Sequence, residues 1–103
     1  MPRRMKYKEY WKPAVIDMIR HYSTIQGEDT IQANIFASAI KKALKDAESL
    51  PDGGLRVQAV KMYYIDNTHK IDGIAMEVNA SPRTVQRWLN SFVNAVGVNA
   101  GYK

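Results

Sequence analysis

Apolar residues recur at three- and four-residue steps along most of the chain, the spacing of one face of an α-helix. The first such segment runs from Tyr7 to Tyr22. The second begins with a cap at Asp29 or Thr30 and runs to about Leu50. Residues 23–27 lie between the two segments and are predicted to form a loop.

The second predicted helix carries an alanine-rich apolar stripe. Small side chains let two helices approach closely, so the stripe is expected to pack either within the domain or against a second copy. Its members are Ile31, Ile35, Ala39, Ala43 and Ala47, widened by Phe36, Ile40 and Leu44.

The second half of the chain predicts three shorter helices separated by turn residues. Pro51-Asp52-Gly53-Gly54 makes the first turn. Ser81 followed by Pro82 marks a sharp helix start, because serine caps the helix and proline suits its first position. The three helices are predicted at Leu55–Ile65, Ile71–Val78 and from Pro82 to about Val96.

These elements predict an all-α fold, a small helical domain of about five helices that ends in a helix-turn-helix. Ala75 is the small residue that such a helix crossing needs, and Asn79, four residues later, accepts the left-handed conformation of the turn. The positions that should hold the two helices together are all apolar: Ile74, Val78, Ala80, Val85 and either Trp88 or Leu89. We predict one domain over residues 1–103, with N-terminal helices for packing or interaction in 1–50 and the helix-turn-helix part in 51–98.

Charge is distributed unevenly along the chain, and the last predicted helix has no acidic residue. The chain has a net charge of +5, and no acidic residue follows Glu77. Basic surfaces attract polyanions, because neutralising phosphates releases condensed counterions. A net positive charge can also serve solubility alone, but a solvated helix face usually mixes both signs of charge.

The polar face of the fifth predicted helix carries the candidate DNA-binding residues. Arginine, asparagine and glutamine can pair with the edges of guanine or adenine, whereas serine and threonine more often contact phosphates. The first two turns of a recognition helix enter the major groove deepest. The candidates are therefore Ser81, near a phosphate, then Arg83, Thr84, Gln86 and Arg87, with Asn90 more peripheral.

Other classes of function find little support in the sequence. There are no cysteines, and His21 and His69 lie far apart without ligand-like spacing, so no metal site or cofactor is expected. No pairing of acid and base suggests an enzyme. No apolar run reaches membrane length and no secretory signal is recognisable, which favours a cytoplasmic protein.

A family resemblance rests on seven stretches: Tyr10–Pro13, Leu50-Pro51, Thr68-His69, Ile74–Met76, Arg83–Trp88, Asn90–Val93 and Val96-Gly97. Through them the chain resembles the RinA-like transcriptional regulators of phages and prophages of low-GC Gram-positive bacteria, over nearly its whole length. The C-terminal part also resembles the helix-turn-helix of sigma factor region 4. The resemblance implies an activator of phage late genes that acts in the host cell. In such an activator the N-terminal helices are expected to pack the helix-turn-helix, and they are the candidates for contact with host RNA polymerase or a second copy.

Several alternatives stay open at this point. A small-terminase-like packaging protein also carries a helix-turn-helix on a helical body, but assembles into rings. A helical protein-interaction module that uses the alanine-rich helix needs no DNA. The sequence leaves open whether the basic N-terminal arm contacts DNA phosphates through Arg3, Arg4, Lys6 and Lys8. The operator sequence, the oligomeric state and the choice between activation and repression are not fixed by the residues.

Overall fold

A computed structural model describes residues 11–102 of the chain. Within that range the protein is all-helical, with no strand. The predicted N-terminal arm and the start of the first predicted helix lie outside the described residues. The six α-helices are α1 (Trp11–Arg20), α2 (Tyr22–Ile25), α3 (Ile31–Glu48), α4 (Gly53–Val60), α5 (Ile71–Val78) and α6 (Pro82–Asn99).

Six helices are present where about five were predicted. The segment predicted as a loop over 23–27 begins with a helical turn, α2, because Ile25 is buried there against Ala33 and Phe36 of α3. Helix α4 also begins two residues earlier than Leu55, at Gly53, directly after Asp52 in the left-handed conformation (φ 59°). A π-helical turn, Lys61–Ile65, continues α4 toward the loop before α5.

The start of α3 confirms one of the two predicted caps. Thr30 is extended, and its side-chain oxygen accepts a hydrogen bond from the Ala33 N–H at 3.0 Å. The predicted stripe is only partly buried: Ala39 and Ala43 are core residues, but Ile31 and Ile35 are exposed. The face that α3 turns to the core is centred instead on Ala33, Phe36, Ala39, Ile40 and Ala43.

One apolar core joins α1, α3, α4, α5 and α6, and α6 packs against each of the other four. The buried residues of this core include a stripe along α6, formed by Val85, Leu89, Phe92 and Val96. At this core the amide of Asn99 donates to the Ala39 carbonyl at 3.1 Å, which fastens the end of α6 to α3.

Helix α6 continues beyond its predicted end near Val96 and runs to Asn99. Gly97 lies within the helix and is buried, because the Trp11 ring packs directly on it: a Cβ there would lie 2.9 Å from Cη2 of Trp11. The helix ends instead beside Gly101, whose positive φ of 88° allows the Tyr102 N–H to donate back to the Gly97 carbonyl at 2.8 Å.

The junction of α3 and α4 requires a residue without a side chain at position 53, which gives a stability prediction. A Cβ on Gly53 would collide with the Glu48 carbonyl and lie 2.8 Å from the Ala47 carbonyl oxygen. We expect Gly53→Ala to lower the free energy of unfolding by about 1–3 kcal/mol through overpacking. Gly54→Ala is the matched control, because a Cβ at Gly54 meets nothing within 4 Å. Equal urea midpoints for the two variants would contradict the close approach.

Candidate nucleic-acid interface

Helices α5 and α6 form a two-helix unit joined by three residues, Asn79 to Ser81. Asn79 adopts the left-handed conformation (φ 56°, ψ 48°), as predicted from the sequence. The Ala80 N–H donates to the Ala75 carbonyl at 3.0 Å and the Asn79 N–H donates to the Met76 carbonyl. This pair of bonds closes the end of α5, so the chain turns sharply and enters α6 with a fixed direction.

The start of α6 is fixed by its cap. Ser81 is extended, and its Oγ accepts a hydrogen bond from the Thr84 N–H at 3.1 Å while donating to Thr84 Oγ1 at 2.9 Å. Pro82 occupies the first helical position and has no N–H. The Thr84 N–H is bonded to the Ser81 side chain and the Val85 N–H to the Ser81 carbonyl. In the first turn of α6 only the Arg83 N–H therefore lacks an acceptor within the described part of the chain.

The apolar residues predicted to hold the two helices together do so. Ile74 and Val85 are fully buried, Ala75 is buried beside them, and Ala80 packs against the same core while remaining half-buried. Val78, Trp88 and Leu89 are buried as well. Sequence reasoning did not single out Met76, which is 84% exposed on α5 because it lies off the stripe of Ile74, Ala75 and Val78.

Four of the six candidate residues form an exposed surface on the first three turns of α6. Arg83, Arg87 and Asn90 follow one another at four- and three-residue steps and share one face, away from the buried stripe. Gln86 borders that face, and its amide donates to the Asn90 side-chain oxygen at 3.3 Å. We call these four residues the α6 polar face: Arg83, Gln86, Arg87 and Asn90.

The two remaining candidates contribute differently. Thr84 is half-buried, and its hydroxyl is bonded to Ser81. The Ser81 hydroxyl is itself engaged in the cap. A phosphate at this helix start would therefore meet the free Arg83 N–H more readily than the Ser81 hydroxyl, since unpaired N–H groups at a helix N-terminus favour anions.

Within residues 11–102, Arg83 and Arg87 differ from the other two arginines, Arg20 and Arg56, in having no partner among carboxylates or aromatic rings. Among residues 11–102, ion pairs join only His21 to Asp17 and Lys42 to Asp46. The guanidinium of Arg20 lies 5.8 Å from the ring centre of Tyr64, and that of Arg56 lies 5.8 Å from that of Trp88.

Arg56 is held further by a bond from its Nε to the Pro51 carbonyl at 2.9 Å. Arg83 and Arg87 make neither kind of contact within the described residues. Helix α6 has no acidic residue in 18 positions, so its own side chains do not neutralise them.

Residues 11–102 contain neither a cluster of metal ligands nor a membrane-spanning helix. No group of three or more His, Asp or Glu side chains there could hold a metal ion. No helix in the same range combines the length and the apolar composition needed to cross a bilayer.

Comparison with known proteins finds no matching family model, no matching curated protein and no matching solved structure.

The left-handed residue of the turn gives a test of its geometry. Asn79→Ala should lower the free energy of unfolding by about 1–2 kcal/mol, because a Cβ without a local polar group disfavours positive φ. Asn79→Gly should leave it nearly unchanged or raise it, because glycine adopts positive φ without strain. Chemical denaturation of both variants provides the measurement, and a more stable alanine variant would contradict the turn.

The cap of α6 gives a second test on the same unit. Ser81→Ala removes the acceptor of the Thr84 N–H and should cost about 1 kcal/mol of folding free energy. Ser91→Ala is the control, since Ser91 is exposed within the same helix and alanine is the better helix former there. Thermal unfolding followed by circular dichroism should show a loss for the first change only. An unaltered Ser81→Ala protein would mean that the cap does not stabilise the helix.

Proposed function

We propose that the protein is a sequence-specific DNA-binding protein whose α5 and α6 act as a helix-turn-helix. In this proposal the N-terminal half of α6 lies in the major groove of duplex DNA. The observation that carries the proposal is the α6 polar face: two arginines that are unpaired among residues 11–102, beside Gln86 and Asn90, on a helix without acids.

The positive charge of the α6 polar face favours the binding of a polyanion such as DNA. The guanidinium groups of Arg20 and Arg56 each lie 5.8 Å from the centre of an aromatic ring. Arg83 and Arg87 have neither in the described residues, and the net charge of +5 adds long-range attraction. Binding should therefore weaken steeply as salt concentration rises.

The chemistry of the same residues suits base recognition. Arginine presents two parallel donors that match O6 and N7 of guanine, and the amides of Asn90 and Gln86 can pair with adenine. The hydrogen bond between Gln86 and Asn90 reduces the freedom of both amides before DNA binds, which lowers the entropy lost on binding. Phosphate contacts near Ser81 and Thr84 would set the register of the helix on the duplex.

A regulatory role follows from the resemblance to RinA-like regulators, which supports transcriptional activation of phage late genes in the cytoplasm of a bacterial host. Host RNA polymerase would then be a second partner. The helices before residue 51 bury α6 from one side and leave the α6 polar face open to DNA, which is the arrangement that a DNA-binding regulator needs.

Substitution of the two arginines tests the proposal. A side chain paired with guanine should cost roughly 1–3 kcal/mol of binding free energy and relax preference at one base position. One that meets only phosphate should weaken all sequences alike and reduce the salt slope by about one. We expect Arg87→Ala to show the loss of a base contact, because Arg87 lies one turn into the helix. Arg83→Ala is compatible with the loss of a base contact or of a phosphate contact.

The measurement is a binding titration at two salt concentrations against a duplex selected from a random library and a scrambled duplex. Neither arginine change should alter folding by more than about 0.5 kcal/mol, since both side chains are exposed. Lys45→Ala on α3 removes the same charge elsewhere and is the control. If Lys45→Ala weakens binding and both arginine variants bind like the parent, α6 is not the recognition helix.

A further inference from the structure

Helix α3 has a second apolar face that residues 11–102 leave uncovered. Ile31 is 81% exposed and Ile35 is 48% exposed, one helical turn apart. They line an open groove of about 580 Å³, whose walls also include Asn34, Ser38, Lys42 and Asn99. Apart from Lys42 the groove lining carries no charge.

This face is separate from the part of α3 that builds the core. Phe36 and Ile40 point to the interior, whereas Ile31, Ile35, Ser38 and Lys42 recur at steps of four, three and four residues on the other side. Helix α3 already packs against α2, α4 and α6, and none of these covers Ile31 or Ile35. Steps of three and four are also the spacing of the seam between two paired helices.

The charges around the groove indicate what the second neighbour is. Glu28 lies seven residues before Ile35 and Lys42 lies seven residues after it; Asp29 and Lys41 lie six residues to either side. The two acids lie in the loop just before the cap of α3, beyond the N-terminal end of the face, and the two lysines lie toward its C-terminal end. An antiparallel copy of the same helix, centred near Ile35, brings each acidic end to a basic end.

We infer that the exposed face of α3 binds the same face of a second copy of this chain, with the two α3 helices antiparallel about a two-fold axis near Ile35. A two-fold axis makes each contact occur twice, so the self-complementary pattern of charge is used at both ends. Small Ser38 and buried Ala39 on the groove floor let the partner helix approach closely.

The available side chains suit this pairing. Glu28, Asp29 and Lys41 are exposed and form no ion pair within residues 11–102. Lys42 already pairs with Asp46 on its own helix at 2.9 Å, so it would be shared rather than newly paired. A parallel arrangement would place acids beside acids, which opposes association.

The pairing does not depend on the proposed DNA-binding function. It uses α3, whereas DNA binding is assigned to α6, so each can fail while the other holds. Self-association is therefore measured without DNA, by sedimentation equilibrium over about 1 µM to 1 mM. The expected result is an equilibrium between monomer and dimer.

Exchanging charges gives the sharpest test of the antiparallel geometry. The double variant Glu28→Lys/Asp29→Lys and the double variant Lys41→Glu/Lys42→Glu should each dimerise at least about tenfold more weakly, since like charges then face one another. An equimolar mixture of the two should form a heterodimer, because every facing pair is again of opposite sign. Circular dichroism should confirm that both are folded, as the changed positions are exposed.

The apolar part of the seam is tested with a matched control. Ile31→Gln/Ile35→Gln should weaken dimerisation at least about tenfold while leaving folding intact. Met76→Gln removes an equally exposed apolar side chain from α5, outside the groove, and should leave dimerisation unchanged.

Three results would overturn the inference. The first is a protein that stays monomeric across the whole concentration range. The second is an assembly larger than a dimer, such as a ring, which a closed two-fold contact does not produce. The third is a mixture of the two charge variants that associates no better than either variant alone.

Discussion

The burial of one face of α6 is the constraint on which the rest of this structure depends. Val85, Leu89 and Val96 are fully enclosed, and α1, α3, α4 and α5 all pack on this helix. The core therefore fixes not only the position of α6 but also its rotation about its own axis. Because that rotation is set by apolar packing, the opposite face, with Arg83 and Arg87, must point to solvent whether or not a ligand is bound.

Both proposals concern helix faces that do not pack into the core, and the two faces differ in chemistry. The α6 polar face is basic and hydrogen-bonding, which suits a phosphate backbone and base edges. The exposed face of α3 is apolar and flanked by opposite charges, which suits an antiparallel copy of itself. If both hold, a dimer would carry two copies of α6, and a two-fold protein commonly binds two related half-sites. The α3 contact would then set the separation of those half-sites.

The parts of the fold governed by local rules were predictable from the sequence. Thr30 and Ser81 cap their helices, and Asn79 takes the left-handed conformation, because each effect involves only a few neighbouring residues. The errors arose where distant contacts decide. Gly97 stays helical because Trp11 packs on it, and the exposure of Ile31 depends on where the remainder of the chain lies. For the candidate site, periodicity predicted which side of α6 is exposed. The hydrogen bond from the Ser81 hydroxyl to the Thr84 hydroxyl, which ties both candidates into the cap, became visible only in the structure.

The most direct test of the central claim, that the α6 polar face is the DNA-binding surface, is a nuclear magnetic resonance titration of the isotope-labelled protein with a selected duplex. The claim predicts that the largest changes in chemical shift occur in residues 81–90, including the side-chain amides of Gln86 and Asn90. Residues of the exposed α3 face, such as Ile31 and Ile35, should change little beyond what self-association produces without DNA. Changes centred on α3, with the start of α6 unaffected, would contradict the claim.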